Sequence, residues 1–191
     1  MRFLIDLIIA VAVAVAVGVG SAWYAVSKGH LFGGVTVGAW TAWPQDGSLD
    51  ADPYALARLA RTGEIPLGAG EGLAFTATAD SQGAPLDGRC IYAVAGETPA
   101  ARLWTLTAVD AAGQLMANIA QRQGITSRDV VRSVDGDFTV SVAATVQPGN
   151  WLSIAAVPRF DLVLRLYDTP LATGAQLATL TMPAVSKVSC P

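Results

Sequence analysis

The pattern of apolar and polar positions separates an apolar N-terminal run from a longer part of alternating character. From residue 7 to residue 26 the chain has no charged residue and no proline. A helix over this run is about 30 Å long, at about 1.5 Å per residue, which matches the hydrocarbon core of a bilayer. An isolated strand would leave its backbone unpaired in lipid. The pattern therefore predicts a single membrane-spanning helix within residues 1–28.

Residues at the two ends of this run predict its orientation. Arg2 precedes it, and Trp23 and Tyr24 lie near its far end, where aromatic rings favour the membrane interface. The positive-inside rule then places the N-terminus in the cytoplasm. A cleaved signal peptide is the alternative, because Gly20-Ser21-Ala22 resembles a cleavage site, although the run exceeds the roughly 7–15 apolar residues of a signal core. Both alternatives place the following domain outside the cytoplasm.

Small residues recur at every fourth position of the predicted span. Ala10, Ala14, Gly18 and Ala22 form one such stripe. Small residues let helix backbones approach closely, which predicts packing against another transmembrane helix or an integral-membrane complex. The abundance of Ala and Gly in such helices gives the same spacing without a partner, so both interpretations stay open.

One short helix is predicted before the apolar pattern changes its period. Its ends are indicated by Asp50 or Asp52 as the cap, Pro53 in the first turn and Gly63 after the last turn. The stripe predicted to face the core consists of Tyr54, Leu56, Leu59 and Ala60. Arg58 and Arg61 are predicted to face outward.

Beyond residue 70 short apolar runs are separated by turn signals roughly every 8–12 residues. The predicted strands cover residues 35–37, 72–79, 89–95, 103–109, 114–117, 130–134, 138–144, 160–167 and 176–182. This pattern is typical of a mainly β domain, an antiparallel β-sandwich resembling a jelly roll. We therefore expect a Gly- and Trp-rich linker over 29–50 and a β-sandwich domain over 51–191.

Composition excludes several classes of protein. The chain is 52% hydrophobic and 14% charged, whereas an ordinary soluble domain carries about 25% charged residues. A disordered chain would be rich in charge and poor in apolar residues. A polytopic membrane protein would need further apolar runs of spanning length. The net charge of −3 argues against a nucleic-acid partner.

Cys90 and Cys190 are the two cysteines of the chain. An even, small number of cysteines in an oxidising compartment predicts a disulfide. Two free thiols, or a thiol used for lipidation or for bonding a partner, are the alternatives. Neither cysteine has the spacing of a redox motif or a zinc site.

Candidate chemistry is sparse in this sequence. The single histidine, His30, belongs to the linker, where a catalytic base would lack a rigid position. Most aspartates lie at predicted turns, which they stabilise locally. We therefore predict no catalytic residues, no metal site and no cofactor, although a pair of carboxylates brought together by the fold stays possible for a hydrolase.

A set of aromatic and amide side chains is the best candidate for binding a sugar or a lipid headgroup. The set consists of Trp104, Asn118, Asn150, Trp151 and Arg165. The alternative is that both tryptophans belong to the core, because Trp is highly buried on average.

Several short motifs follow one another in the order seen in a known family. They are Trp104-Thr105-Leu106-Thr107, Asp110, Gly113, Asn118, Arg122, Asp135-Gly136, Asn150-Trp151-Leu152 and Leu164-Arg165-Leu166-Tyr167. Over roughly residues 75–170 the chain resembles the family of domains of unknown function numbered 1214. The resemblance implies a β-sandwich, often found in bacterial envelope proteins behind an N-terminal membrane segment, and no established activity. Ser153 departs from the family, which tends to have proline there.

These observations together predict a non-enzymatic accessory or scaffolding subunit. It would be a single-pass protein of the bacterial inner membrane with its C-terminal domain in the periplasm, in contact with the lipid bilayer and another membrane protein. The alternatives are a glycan- or lipid-binding envelope module and a carboxylate-dependent hydrolase.

Overall fold

The computed structural model describes residues 2–27, 33–173 and 180–190. Helix α1, Arg2–Ser27, is one continuous helix of 26 residues, and none of them is buried. Its length and apolar composition suit a membrane span. A membrane anchor and a signal sequence both fit this helix. The histidine of the predicted linker, His30, lies outside the described residues.

Within the described residues, ten strands and a second α-helix follow α1. They are β1 (Val35–Val37), β2 (Trp40–Ala42), α2 (Pro53–Thr62), β3 (Gly72–Ala77), β4 (Ile91–Gly96), β5 (Leu103–Asp110), β6 (Gly124–Thr126), β7 (Phe138–Ala143), β8 (Asn150–Ser153), β9 (Phe160–Tyr167) and β10 (Ala184–Ser189). One sheet has the order β1-β2-β3-β9-β5-β6 and the other β10-β4-β7-β8. All pairs are antiparallel except β7 and β8, which are parallel, so the second sheet is mixed.

The two sheets share one apolar core. In β9 the side chains of Phe160, Leu162, Leu164 and Leu166 all point inward, as their alternation predicts. Aromatic contacts join the sheets: Tyr92 of β4 meets Phe160 edge-on at 5.9 Å, and Trp104 of β5 lies 5.0 Å from Phe138 of β7 between ring centres. The predicted mainly β fold is confirmed.

The segment predicted as a linker contributes strands β1 and β2 to the first sheet. Trp40 of β2 is completely buried, and its indole N–H donates a 2.7 Å hydrogen bond to the carbonyl of Pro183. This bond joins the beginning of the β structure to the segment that enters β10. The sheet therefore begins before residue 51.

Two predicted strands are reduced to single bridges. Residues 114–117 contribute one bridge, between Leu115 and Val109, and residues 130–134 contribute one, between Arg132 and Phe138. In the second case the Asn150 side chain binds both the N–H and the C=O of Val131, each at 2.8 Å. A side-chain amide therefore takes the place of the strand partner.

The last strand also differs from its prediction. Residues 176–179 of the strand predicted over 176–182 lie outside the described residues, and 180–182 are not in a strand. The strand lies further on, at β10, which pairs with β4. Cys190 follows β10 directly and Cys90 precedes β4 directly, and the predicted disulfide joins them.

Helix α2 has the predicted ends but not the predicted orientation. Its cap is Asp52, whose carboxylate accepts hydrogen bonds from two backbone N–H groups of the first turn, and Gly63 ends it at a φ of 69°. The buried residues are Ala55, Arg58 and Leu59. The prediction that Arg58 faces outward and that Tyr54, Leu56 and Ala60 face the core is therefore wrong. Leu59 is buried and Arg61 is exposed, as predicted. Arg58 is buried because two carboxylates outside the helix bind it.

Candidate functional site

A cleft of about 510 Å³ opens beside the end of β5. Its lining residues are Glu97, Thr98, Pro99, Ala100, Ala101, Arg102, Trp104, Ser127, Arg132 and Gly136. The connection from β4 to β5 supplies one wall, and the segments after β6 and before β7 supply the other. The cleft therefore lies where loops from both sheets meet at the edge of the core.

Trp104 links the cleft to the core. Its side chain is 2% exposed and is tilted by 31° against the ring of Phe138. The guanidinium of Arg132 lies 6.0 Å from the centre of the Trp104 ring and 5.3 Å from that of Phe138, a cation–π arrangement. Arg132 also donates to the carbonyl of Gly136 at 2.8 Å, which holds the guanidinium in place.

The indole N–H of Trp104 is buried and has no hydrogen-bond partner in the part of the chain that the structure describes. Leaving a buried donor unsatisfied costs about 1–3 kcal/mol. The backbone around it is well satisfied, because the N–H of Ser127 donates to the carbonyl of Trp104 at 2.9 Å and the Ser127 hydroxyl accepts from the N–H of Trp104. The unsatisfied group is thus a side-chain donor in a well-ordered setting, and an acceptor brought by water or a ligand would satisfy it.

The charged side chains of the cleft are Glu97, Arg102 and Arg132. Arg102 forms an ion pair with Asp168 at 2.9 Å, and both side chains are largely exposed, so the pair is weak. Two guanidinium groups and one carboxylate give the ionisable side chains of the lining a net positive charge, and the indole N–H adds a donor without a partner among the described residues. The arrangement suits a small ligand that is anionic or rich in acceptor oxygens.

Asn150 and Asn118 use their amides within the chain. Besides binding Val131, the Asn150 amide donates to the carbonyl of Thr139 at 3.0 Å. The Asn118 amide donates to the carbonyl of Arg122 at 2.7 Å and accepts from its N–H. Both asparagines therefore fix local loops, with their donors engaged.

Trp151 and Arg165 lie apart from Trp104. The indole N–H of Trp151 donates to the carbonyl of Ala143 at 3.0 Å, so this tryptophan is satisfied. Arg165 pairs with Thr105, the neighbour of Trp104 in β5, and successive residues of a strand point to opposite faces. Arg165 is therefore on the outer face of the sheet, where it donates to the hydroxyl of Thr107.

Ser127, Arg102 and Arg132 of the cleft were not among the predicted site residues. Ser127 and Arg132 reach Trp104 from positions more than twenty residues further along the chain. The one signal near them is the Asp135-Gly136 turn, which brings the segment of Arg132 back beside β7.

The described carboxylates mostly stabilise turns or pair with arginines, whereas a carboxylate-dependent hydrolase needs two that face one pocket. Asp80 and Asp110 each accept hydrogen bonds from two backbone N–H groups of their own turns, as predicted. Burial raises the pKa of Asp161, and Arg159 opposes this in part. The side-chain hydrogen bonds from Arg89 hold the pKa of Asp87 at about 2. Among the described residues, no three His, Cys, Asp or Glu side chains group where they could hold a metal ion.

Comparison with known proteins supports the resemblance found in the sequence. The family model for proteins of unknown function DUF1214 matches residues 71–171, more than half of the chain. No curated protein matches this chain significantly. The matched region runs from β3 to the turn after β9 and includes the whole Trp104 cleft.

One solved structure supports the fold, and a second shows a weaker likeness. The crystal structure of the VPA0106 protein from Vibrio parahaemolyticus is 24% identical with a TM-score of 0.58, over 73% of this chain and 36% of that chain. An uncharacterized protein from Burkholderia cenocepacia is 16% identical with a TM-score of 0.44, over 93% of this chain and 52% of that chain. The chain thus spans 36% and 52% of the lengths of these two proteins.

Proposed function

Since this chain belongs to the DUF1214 family of proteins of unknown function, we propose its function from its own structure. It is a non-enzymatic, membrane-anchored domain that serves as an accessory or scaffolding subunit of an integral-membrane complex. Helix α1 crosses the bacterial inner membrane once and holds the β-sandwich in the periplasm. The disulfide supports this location, because such bonds persist in oxidising compartments.

The observation that carries this proposal is the surface of α1. Its 26 residues are apolar over most of their length, and nothing within the described chain buries any of them. An apolar surface of this size is stable only when lipid or another protein covers it. A Cβ added at Gly18 or Gly20 would meet no atom of the described residues within 4 Å, the backbone of its own helix apart. Packing among the described residues therefore does not require glycine at these two positions.

A pair of matched α1 variants tests the subunit role. Gly18→Leu with Ala14→Leu fills the small-residue stripe. Ala12→Leu with Ala16→Leu adds bulk on the opposite face of the helix, because successive residues are rotated by about 100°. We expect the first pair to lose proteins that co-purify with the full-length chain from native membranes in mild detergent. The second pair should keep them.

Two results would contradict the subunit role. One is a wild-type protein that purifies from native membranes as a monomer with no other protein. The other is a set of co-purifying proteins that both variant pairs retain equally. Extraction of wild-type protein by alkaline carbonate, without detergent, would contradict membrane anchoring itself.

A second candidate function is binding of a small anionic ligand in the Trp104 cleft. The observation that favours it is the buried, unsatisfied indole N–H beside two arginines. Glycerol phosphate represents a lipid headgroup, and a chitin oligosaccharide represents a neutral glycan. The net positive charge of the lining side chains favours the phosphate, because charge-assisted hydrogen bonds are about twice as strong as neutral ones.

Thermal unfolding with these probes tests the cleft. Glycerol phosphate should raise the Tm of the full-length protein in detergent, and Arg132→Gln should abolish the rise. Trp151→Phe is the matched control, because that indole N–H already has a partner in the chain. If neither probe changes the Tm of the wild-type protein, the cleft is not a site for either class.

A further inference from the structure

Helix α2 exposes several apolar residues, although Ala55 and Leu59 face the domain. Its exposed residues include Tyr54, Leu56, Ala57, Ala60 and Arg61. Tyr54 is 47% and Leu56 is 53% exposed. A helix on the surface of a soluble domain normally has apolar residues inward and charged residues outward, and the buried Arg58 and the exposed Tyr54 and Leu56 depart from this pattern.

The opposite side of α2 explains why the helix keeps this orientation. Arg58 is 7% exposed, and its guanidinium donates to Asp46 at 2.8 Å and to Glu64 at 2.7 Å. Rotating α2 to bury Tyr54 and Leu56 would break both ion pairs. Removing one partner from a buried pair is strongly destabilising. The ion pairs of Arg58, above all the largely buried one with Asp46, therefore fix the orientation of α2.

The chain on either side of α2 enlarges the apolar surface. Leu49 precedes the helix and Ile65 follows it, and both side chains are almost completely exposed. We call Leu49, Tyr54, Leu56, Ala57, Ala60 and Ile65 the α2 face. Single exposed apolar residues are normal, but several of them within residues 49–65 indicate an interaction surface.

Contacts with α1 locate this surface relative to the membrane. Arg61 of α2 places its guanidinium 4.5 Å from the centre of the Trp23 ring and donates to the hydroxyl of Ser27 at 2.8 Å. Trp23 and Ser27 lie at the C-terminal end of α1, where the apolar run stops. Helix α2 therefore lies beside the point at which α1 would leave the bilayer.

We propose that the α2 face lies in the outer interface of the same bilayer that α1 crosses. The occupant of this surface is lipid, because the face continues from the end of the spanning helix and combines aliphatic residues with Tyr54 and Arg61. Tyrosine favours the headgroup region, and arginine reaches phosphates while its stem stays in apolar surroundings. The inference rests on the proposed anchoring by α1, and it adds that α2 fixes the sandwich against the membrane surface.

Fluorescent labels at chosen positions test this placement in the full-length protein. Single cysteines replace Leu56, Ala60, Val15 or Val134 and carry a nitrobenzoxadiazole label, with the native disulfide kept oxidised. The protein is reconstituted in vesicles of phosphatidylcholine and phosphatidylglycerol. Iodide quenches labels in water, and doxyl-labelled lipids quench labels in the bilayer. Val134 is a fully exposed control in a loop before β7.

We expect labels at Leu56 and Ala60 to be quenched by shallow doxyl lipids and to resist iodide several-fold more than the label at Val134. The label at Val15 should respond to deep doxyl lipids. One outcome separates the two proposals: deep doxyl lipids quench the label at Val15, but iodide quenches the labels at Leu56 and Ala60 as strongly as the label at Val134. That outcome refutes the placement of α2 and leaves the proposed anchoring by α1 intact.

Two further outcomes are distinguishable. Labels at Leu56 and Ala60 that resist iodide without quenching by lipid would show that a second copy of the protein covers the face, which overturns the lipid assignment. A Val15 label that lipid does not quench would refute anchoring itself, and the placement of α2 with it. As an independent check, Leu56→Lys should increase the iodide response at position 60 severalfold, because a charge lifts the face from the bilayer, whereas Leu115→Lys should not.

Discussion

Removing the disulfide is expected to destabilise the domain by loosening β10. This strand is at the edge of the second sheet and pairs with β4 alone. Within β10, Val185 is the one buried side chain, so apolar packing holds the strand weakly. The N–H of Ser81 donates to the carbonyl of Val185 at 2.8 Å, and the N–H of Val185 donates to the hydroxyl of Ser81 at 3.0 Å. Besides these bonds and the pairing with β4, the covalent bond between Cys90 and Cys190 holds the end of β10.

The expected loss in the free energy of unfolding follows from the length of chain that the disulfide closes. The cysteines are 100 residues apart, for which the chain-entropy model gives about 4.7 kcal/mol, and measured values for disulfides are typically about 2–4 kcal/mol. With a urea dependence of about 2 kcal/mol per M, the double variant Cys90→Ser with Cys190→Ser should lower the unfolding midpoint by about 1–2 M.

The assay is urea unfolding of the full-length protein in nanodiscs, followed by tryptophan fluorescence. Wild-type protein under reducing conditions should unfold at the midpoint of the double variant, and reductant should leave the double variant unchanged. Equal midpoints for oxidised wild type and double variant would refute the reasoning. So would complete labelling of wild-type thiols in denatured, unreduced protein.

Three further predictions use the same unfolding assay. Trp40→Phe should cost about 1–3 kcal/mol, because the carbonyl of Pro183 loses a buried donor; an unchanged midpoint would contradict this. Gly72→Ala should be destabilising by about 1–3 kcal/mol, because its Cβ would lie only about 2 Å from a carbonyl oxygen of β9, whereas Gly70→Ala, with no atom within 4 Å, should be near neutral. Asp161→Asn should stabilise the protein near neutral pH and lose this gain below pH 3.8. Burial raises the pKa of Asp161 in the native state, so the native carboxyl binds more protons than the unfolded one. The free energy of unfolding of the wild type therefore falls as the pH rises from the unfolded pKa to the native pKa. A gain that is the same at both pH values would count against burial as its cause.

Features governed by neighbouring residues were predictable from the sequence. The alternation over 160–167 assigns both faces of β9, because side chains of a strand point alternately to opposite sides. Asp52 and Gly63 are appropriate to the two ends of a helix for reasons of local hydrogen bonding and backbone conformation. The helix α1 was predictable from an uninterrupted apolar run alone. In each case the deciding interactions lie within a few residues.

Features decided by distant partners were not predictable in the same way. The strand expected over 130–134 fails because the Asn150 side chain, nineteen residues away, binds the backbone of Val131. The Trp104 cleft depends on Ser127 and Arg132, which reach it through the pairing of β5 with β6 and the turn before β7. Nothing in the spacing of these residues distinguishes them from other loop residues.

The orientation of α2 shows how one such distant contact changes the interpretation of a surface. Its apolar spacing alone favours burial of Tyr54 and Leu56, and that preference is worth about 1.5–3 kcal/mol for a fully buried aliphatic side chain. The ion pairs of Arg58 with Asp46 and Glu64 oppose it, because burying Tyr54 and Leu56 would take Arg58 away from both carboxylates. In the placement that we propose, Tyr54 and Leu56 are covered outside the domain, on the side where Arg61 contacts the end of α1. A membrane surface would cover them without a change in the ion pairs of Arg58, so the proposed anchoring and the observed orientation of α2 are compatible.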